Sequence, residues 1–320
     1  MILAADVGGS KTLVGWFTPT RPRPELVDVR VLRTLDYAGL PALLDDAGGL
    51  KRPGVTRIAL GVAGPVVDGE VVMTNVPWRV SQAEIVAATG VAAVRLLNDL
   101  EAMAYAVPVL APEELRILQI GTCNPAGNAA LIAAGTGLGE AILHRVGPRL
   151  LPVPSEAGHA DFAARTDAEM ALVRALRAEV GRVDIERVVS GLGLVHIARH
   201  VHGADGCPVA GQFGAADGMA RVSEAAQAGT CAKCVAVLDV FVDAYGAEAG
   251  NLGLRAMATA GVYVGGGIAP KILSIIERRF MRTFLDKAPM TGLLASMPVH
   301  VILNDRAALL GAAVAALDGD

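Results

Sequence analysis

The sequence predicts a duplicated α/β architecture, and three observations carry the prediction. An apolar strand pattern, a glycine-rich turn and a second apolar strand open the chain over 2–17, and the same unit recurs over 129–144. Elsewhere short apolar strand patterns alternate with helix-period patterns. Glycine-rich turns follow apolar strands at 8–10, 61–64, 135–139 and 265–267. Two distant copies of one unit point to facing lobes. With no low-complexity linker between them, short crossings of the kind found at a hinge are expected.

The opening hairpin runs apolar to Asp6, turns at Gly8-Gly9-Ser10 and runs apolar again. Glycines at such a tip permit positive φ and let backbone N–H groups approach an anion. After the loop Arg21-Pro-Arg-Pro24, residues 28–35 read as a further strand of the same sheet and 40–50 as a short helix. Residues 57–65 are a buried strand entering a Gly-Pro turn, and 71–75 another strand. Ser81-Gln-Ala-Glu84 is a capping box for a helix that Gly90 ends. A strand at 94–97 leads to Asn98-Asp99, and a helix over 100–107 stops at Pro108. Strands follow at 117–120, 129–134 and 141–144.

From Thr166 the chain turns helical. Thr166-Asp-Ala-Glu169 caps a helix whose apolar residues Met170, Val173, Leu176 and Val180 recur at helix spacing, and Gly181 ends it. Asp184 is placed to cap a short helix containing Glu186. Helices are expected over 192–202 and 217–228, then a long one over 231–257 with Gly246, Gly250 and Gly253 as weak points. A strand at 261–264 meets Gly265-Gly-Gly267, Pro270 starts a helix reaching 284, and a strand at 299–303 and a helix at 307–317 close the chain.

Composition removes several function classes. Of the 320 residues 53% are hydrophobic, but no run reaches the roughly 18 apolar residues a membrane span requires. No secretory leader pattern is present, so the expected location is the cytoplasm. The net charge of −4 with interspersed signs, and only 4% aromatics, argue against nucleic acid as a partner. Cys231-Ala-Lys-Cys234 has the spacing of half a zinc site, with His202 and Cys207 upstream; the same pair also reads as two buried thiols on one helix face.

The chemistry-bearing residues each admit two readings. Asp6, just before its turn, suits a hydrated divalent cation or an ordinary tight turn. Asn98-Asp99 lies between a strand and a helix, where an Asp can act as general base toward a hydroxyl and where either residue can simply cap the helix. Ser155-Glu-Ala-Gly-His159 offers Glu156 and His159 to vicinal sugar hydroxyls, or is a surface turn. Glu186 binds a ligand or complements a helix dipole. Neither a Walker-type loop nor a strand-linked dinucleotide fingerprint is present, and Gly135-Thr-Gly-Leu-Gly139 misses the latter's spacing.

In this order the pieces resemble the bacterial glucokinase family of the actin-like sugar kinases. Matching stretches are Asp6-Val-Gly-Gly-Ser10, Gly61-Val-Ala-Gly-Pro65, Thr74-Asn75 with Pro77-Trp78, Leu97-Asn-Asp-Leu100, Ala134-Gly-Thr-Gly-Leu-Gly139 and Glu156-Ala-Gly-His159. Glu186-Arg-Val-Val-Ser-Gly191, Gly265-Gly-Gly-Ile268 and Leu309-Leu-Gly311 follow, so the resemblance covers nearly the whole chain. It implies a two-lobed ribonuclease-H-like (actin-like ATPase) fold, with nucleotide and sugar in the interlobe cleft and usually a homodimer. The lobes would be 1–108 plus 304–320, and 109–303.

The resemblance also implies ATP-dependent phosphorylation of glucose to glucose 6-phosphate. Asp99 matches the catalytic base, and Asn98, Asp99, Glu156, His159 and Glu186 match the glucose-binding set. Asp6, Gly8, Gly9 and Ser10 match the first phosphate loop, Asp6 being linked to Mg²⁺ through water. Gly135, Thr136 and Gly137 match the second loop, and Gly265 and Gly266 the adenosine segment. The alternatives are another hexose (mannose, fructose or an N-acetyl amino sugar) and a sugar sensor without turnover. ADP or polyphosphate would leave the same motifs as ATP. The first loop reads Gly-Gly-Ser-Lys where relatives often have Gly-Gly-Thr-Asn, leaving Lys11 to phosphate or to solvent. Ala157 replaces a frequent Gly. The cysteine-rich zinc motif that a sister family of repressors and sugar kinases carries after its E-x-G-H is missing, as is an N-terminal helix-turn-helix.

Overall fold

The computed structural model describes residues 1–48, 52–73, 76–203, 206–214 and 217–318. Thr74 and Asn75, which belong to an expected strand and to one matching stretch, lie outside the described residues. Contacts divide the chain into a unit of Met1–Glu114, Leu150–Pro154 and Asn304–Asp320, and a unit of Leu115–Arg149 and Ser155–Leu303.

The chain opens with β1 (Ile2–Val7), β2 (Lys11–Thr18), β3 (Glu25–Arg33) and α1 (Leu40–Asp46). Next come β4 (Arg57–Val62), a ribbon of β5 (Glu70–Val72) and β6 (Arg79–Ser81), α2 (Gln82–Thr89), β7 (Ala93–Asn98) and α3 (Asp99–Ala106). The sheet order is β3-β2-β1-β4-β7. The β1–β2 and β2–β3 pairs are antiparallel, and β1–β4 and β4–β7 parallel. Ile2, Leu3, Ala4, Ala5 and Val7 of β1 are all buried, the near-continuous apolar run expected of a strand covered on both faces.

Further along come β8 (Leu115–Gln119), β9 (Ala129–Ala134), β10 (Leu138–Val146), β11 (Arg149–Ser155), α4 (Asp167–Val180), α5 (Gly191–His202), α6 (Gly218–Gln227) and α7 (Ala232–Ala256). β12 (Gly261–Gly265), α8 (Leu273–Phe284), α9 (Thr291–Ser296), β13 (Val299–Ile302) and α10 (Ala307–Ala315) complete the chain. The second sheet runs β11-β10-β9-β12-β13-β8. Its β10–β9 hairpin followed by parallel β9–β12 and β12–β13 pairs repeats β2–β1, β1–β4 and β4–β7. The duplication read from the two glycine hairpins is therefore a duplication of whole sheets.

α10 packs on α3, β1 and β4 in the first unit, and a side chain at Gly311 would strike the carbonyl of Ala102. In the second unit the core gathers on α7, where Phe241, Tyr245 and Phe280 meet edge to face. No single helix among the described residues is long and apolar enough to cross a membrane.

Several local expectations change. Ser81 makes no side-chain cap, because it still belongs to β6, paired with Glu70 of β5. Gly90 does end α2, in the left-handed region. Thr166 caps α4 by accepting from the Glu169 amide. Residues 184–190 do not form a helix: Ile185 N–H and Glu186 N–H donate to Ala160 O and Gly158 O, tying this segment to the preceding loop. Gly246 and Gly250 are not weak points of α7 but the places where α8 comes close. A side chain there would meet Phe280 O or, at 2.7 Å, Phe284 O. β11 carries Pro152 and Pro154, tolerated on an edge strand.

Candidate functional site

In the first unit the candidate residues collect at the carboxyl ends of three parallel strands. The register places Asp6 of β1 beside Gly61 of β4, and Gly61 beside Leu97 of β7, one residue before Asn98. A side chain at Gly61 would come within 3.7 Å of Asp99 Cα and 2.9 Å of Ala102 Cβ, so glycine here lets α3 approach β4 closely. Asp6 and Asp99 thus flank Gly61. Burial, and then the negative charge of Asp99, push the Asp6 carboxyl up to about 6, while Lys11 acts in the opposite direction. The side chain of Lys11 is exposed, yet its charge is felt at Asp6.

The hairpin tip is shaped by contacts rather than by left-handed backbone. Neither Gly8 nor Gly9 has a positive φ, contrary to the simplest reading of the motif. Glycine is required at position 8 because a Cβ there would sit 2.9 Å from Lys11 O. Gly8 N–H donates to Lys11 O at 3.1 Å and closes the turn. Thr34 braces the tip: its hydroxyl donates to Gly8 O at 2.8 Å, and its N–H to Ser10 O at 3.1 Å. The sequence does not flag Thr34, since a lone threonine after a strand carries no pattern.

Asn98 is the helix cap that its residue type permits. Its Oδ1 accepts from Leu100 N–H at 2.9 Å, and its Nδ2 donates to Gly64 O at 3.1 Å. Asp99 opens α3, with Oδ1 accepting from Leu100 N–H at 2.8 Å. The cap therefore holds Asp99 at the end of β7, beside the helix N-terminus.

In the second unit the turn between β9 and β10 closes by Gly135 N–H donating to Gly137 O at 2.8 Å. Gly191 N–H, at the start of α5, donates to Gly135 O at 2.8 Å. Glu186 reaches this turn, its Oε2 accepting from Leu138 N–H at 2.8 Å. A side chain at Gly137 would collide with that carboxylate oxygen. Gly158 is likewise fixed, since a Cβ would strike Leu138 O. The pairing of 158–160 with 185–186 brings the loop of Glu156 and His159 alongside Glu186. His159 N–H donates to Glu156 O at 3.0 Å, and its ring Nδ1 lies 3.2 Å from Asp184 Oδ2. Asp184, expected to cap a helix, caps a turn instead, its Oδ1 accepting from Arg187 N–H at 3.0 Å while its Oδ2 orients the His159 ring.

Gly265 ends β12 next to β9, in register with Ala133. Gly266 follows with φ of +83°, its missing side chain leaving room for Ala134 O. The Tyr245 hydroxyl accepts from Ala134 N–H at 3.1 Å and faces Gly265 O at the same distance. This fully buried phenol fastens the ends of β9 and β12 just before their glycine turns. In the sequence Tyr245 is one more apolar residue of a long helix.

Each unit therefore assembles its own set. The first brings together Asp6, Gly8, Gly9, Ser10, Asn98 and Asp99; the second brings together Gly135, Thr136, Gly137, Glu156, His159, Glu186, Gly265 and Gly266.

The family model described as "Glucokinase" matches residues 3–319. The chain is 35% identical to a glucokinase of Synechocystis sp. over 344 residues, covering 98% of this chain and 97% of that protein. It is similar to the crystal structure of a glucokinase from an Antarctic psychrotroph, with a TM-score of 0.85, 29% identity and 99% of both chains covered. A glucokinase of the ROK family from Streptomyces griseus, solved with glucose and AMPPNP, shares the fold at a TM-score of 0.68 and 22% identity, over 99% of both chains.

Proposed function

This chain belongs to the glucokinase family, and from that membership we propose that it transfers the γ-phosphoryl group of ATP to the 6-hydroxyl of glucose. The observation that supports this chemistry best is Asp99, held at the end of β7 by the Asn98 cap and flanking Gly61 with Asp6. A carboxylate so fixed can accept the proton of a hydroxyl as that oxygen attacks phosphorus. The leaving ADP carries away the electron pair of the broken P–O bond, and the proton remains on Asp99.

Asn98, Glu156, His159 and Glu186 are assigned to the sugar hydroxyls. Glu186 and His159 are oriented by Leu138 N–H and Asp184. The N–H groups of Gly8 and Gly135 close their turns, so these two glycines serve the phosphates by shape. Gly9, Ser10, Thr136 and Gly137 are the loop members assigned to phosphate contact, and Gly265 and Gly266 to the adenosine. The residues near Asp6 fit Mg²⁺: Asp6 and Asp99 offer carboxylate oxygens, and their repulsion is of the kind a cation relieves. Bound through Asp6, the ion would supply charge neutralisation at the phosphates. A homodimer and a cytoplasmic location complete the proposal.

A coupled ADP-release assay with glucose and Mg-ATP tests it. Glucose should give the highest kcat/KM among glucose, mannose, fructose and N-acetylglucosamine, and no turnover with any sugar would sink the assignment.

A further inference from the structure

We propose that His202, Cys207, Cys231 and Cys234, none of them among the residues assigned above, form a closed structural zinc site in the second unit. Their ligand atoms all lie within 4.8 Å of one another. Cys207 Sγ lies 3.7 Å from Cys231 Sγ and 3.5 Å from Cys234 Sγ, and Cys234 Sγ lies 3.6 Å from His202 Nε2. A tetrahedral zinc with Zn–S of about 2.3 Å and Zn–N of about 2.05 Å requires ligand separations of about 3.75 Å between sulfurs and about 3.55 Å between sulfur and nitrogen. The three distances match those edges. They are far from the roughly 2.05 Å of a disulfide, and three thiols cannot all be paired among themselves.

The scaffold around the cluster is built to hold it. His202 is the last residue of α5, and its ring packs on Phe213 with centroids 5.3 Å apart. Cys207 sits in a tight turn closed by reciprocal backbone bonds with Gly211, at 3.0 and 2.7 Å. Cys231 occupies the N-cap position of α7, and Cys234 lies in the first turn of that helix. The end of α5, the turn that follows it and the start of α7 thus converge on one point. With four protein ligands no position is left open for substrate, which makes the site structural rather than catalytic. Soft thiolates with one imidazole in tetrahedral array select zinc. Binding would release the three thiol protons to solvent and leave a net charge of −1 on the cluster, beside Lys233. The metal would clamp the end of α5 to the start of α7, enclosing the stretch that carries α6.

The test is metal analysis of the full-length protein, purified without chelator from zinc-supplemented medium. About one zinc per chain is expected, falling below about a tenth in Cys231→Ser/Cys234→Ser and unchanged in Cys123→Ser, whose thiol lies elsewhere. Cobalt exchanged into the wild type should show thiolate-to-metal charge-transfer bands and tetrahedral d–d absorption, a readout that does not depend on the variant folding. The proposal is overturned by zinc-loaded wild type holding less than about a tenth of an equivalent. It is equally overturned by cobalt without charge-transfer bands, or by a Cys207 disulfide in protein alkylated under non-reducing conditions.

Discussion

Asp6 and Asp99 flank Gly61 at the ends of β1 and β7, the parallel strands on either side of β4, and burial together with the charge of Asp99 holds the Asp6 carboxyl above its ordinary range. The pair divides its labour by position. Asp99 begins a helix and is oriented by its cap, whereas Asp6 is the next-to-last residue of a buried strand that leads into a glycine turn. Asp99→Asn should keep the fold and glucose affinity but lower kcat by about 10²-fold or more, the usual worth of a positioned general base. In the same variant the Asp6 titration, followed by carboxyl NMR, should move down toward its ordinary value. Near-normal turnover would refute the role of Asp99.

The second consequence concerns acid. Below about 6 Asp6 takes up a proton and offers no charge to a divalent cation. The apparent Mg²⁺ requirement should therefore rise as pH falls through this range, and excess Mg²⁺ should restore activity. Asp6→Asn should need high Mg²⁺ at every pH. An unchanged Mg²⁺ dependence between pH 5.5 and 7.5, measured by initial rates, contradicts this.

Gly137 offers a substitution that reaches Glu186 directly. An added methyl strikes Glu186 Oε2 and breaks the bond from Leu138 N–H, a charge-assisted hydrogen bond worth about 1.5–3 kcal/mol. Gly137→Ala should raise the KM for glucose about tenfold or more and lower Tm by a few degrees, the loss of that bond, since the turn itself adds no positive-φ strain. Gly191→Ala, where the methyl would meet Gly135 O at 3.3 Å, is the control and should be milder. Equal KM values for both variants and the wild type would remove Glu186 from the sugar site.

The hairpin at Asp6 and its second copy at Gly135 were legible because apolar strands around a glycine turn leave a local pattern, and the sheets repeat accordingly. Asn98 and Asp99 were legible as a strand-to-helix junction. Other features depend on long-range contacts that no local pattern encodes. Thr34 braces Gly8 from another strand end, Asp184 orients His159 across paired loops, and Tyr245 reaches two strands from a helix. The glycines of α7 illustrate the same limit: helix propensity marks them as weak, while the approach of α8 explains them.

The last consequence is one of stability, and its sign is fixed by burial. Glu140 is fully buried on β10 beside Glu248, and burial followed by that carboxylate pushes its own carboxyl up to about 8, against the pull of Arg255. In the unfolded chain it would titrate near 4.5. Between these values the folded protein binds more protons than the unfolded one. Glu140 thus contributes stability that is complete below about 4.5 and lost as pH rises through about 8. Asp6 acts with the same sign but only up to about 6, and His202 and His300, whose rings burial holds below their ordinary 6.5, act with the opposite sign up to about 6.5, so the comparison of Glu140 with its variant belongs between about 7 and about 8. There, stability to urea should fall with pH by up to about 1.4 kcal/mol per unit, the limit for one proton. Glu140→Gln should flatten that slope and leave Arg255 paired with Glu248. A wild-type slope unchanged in the variant would mean that Glu140 is ionised in the folded protein at neutral pH.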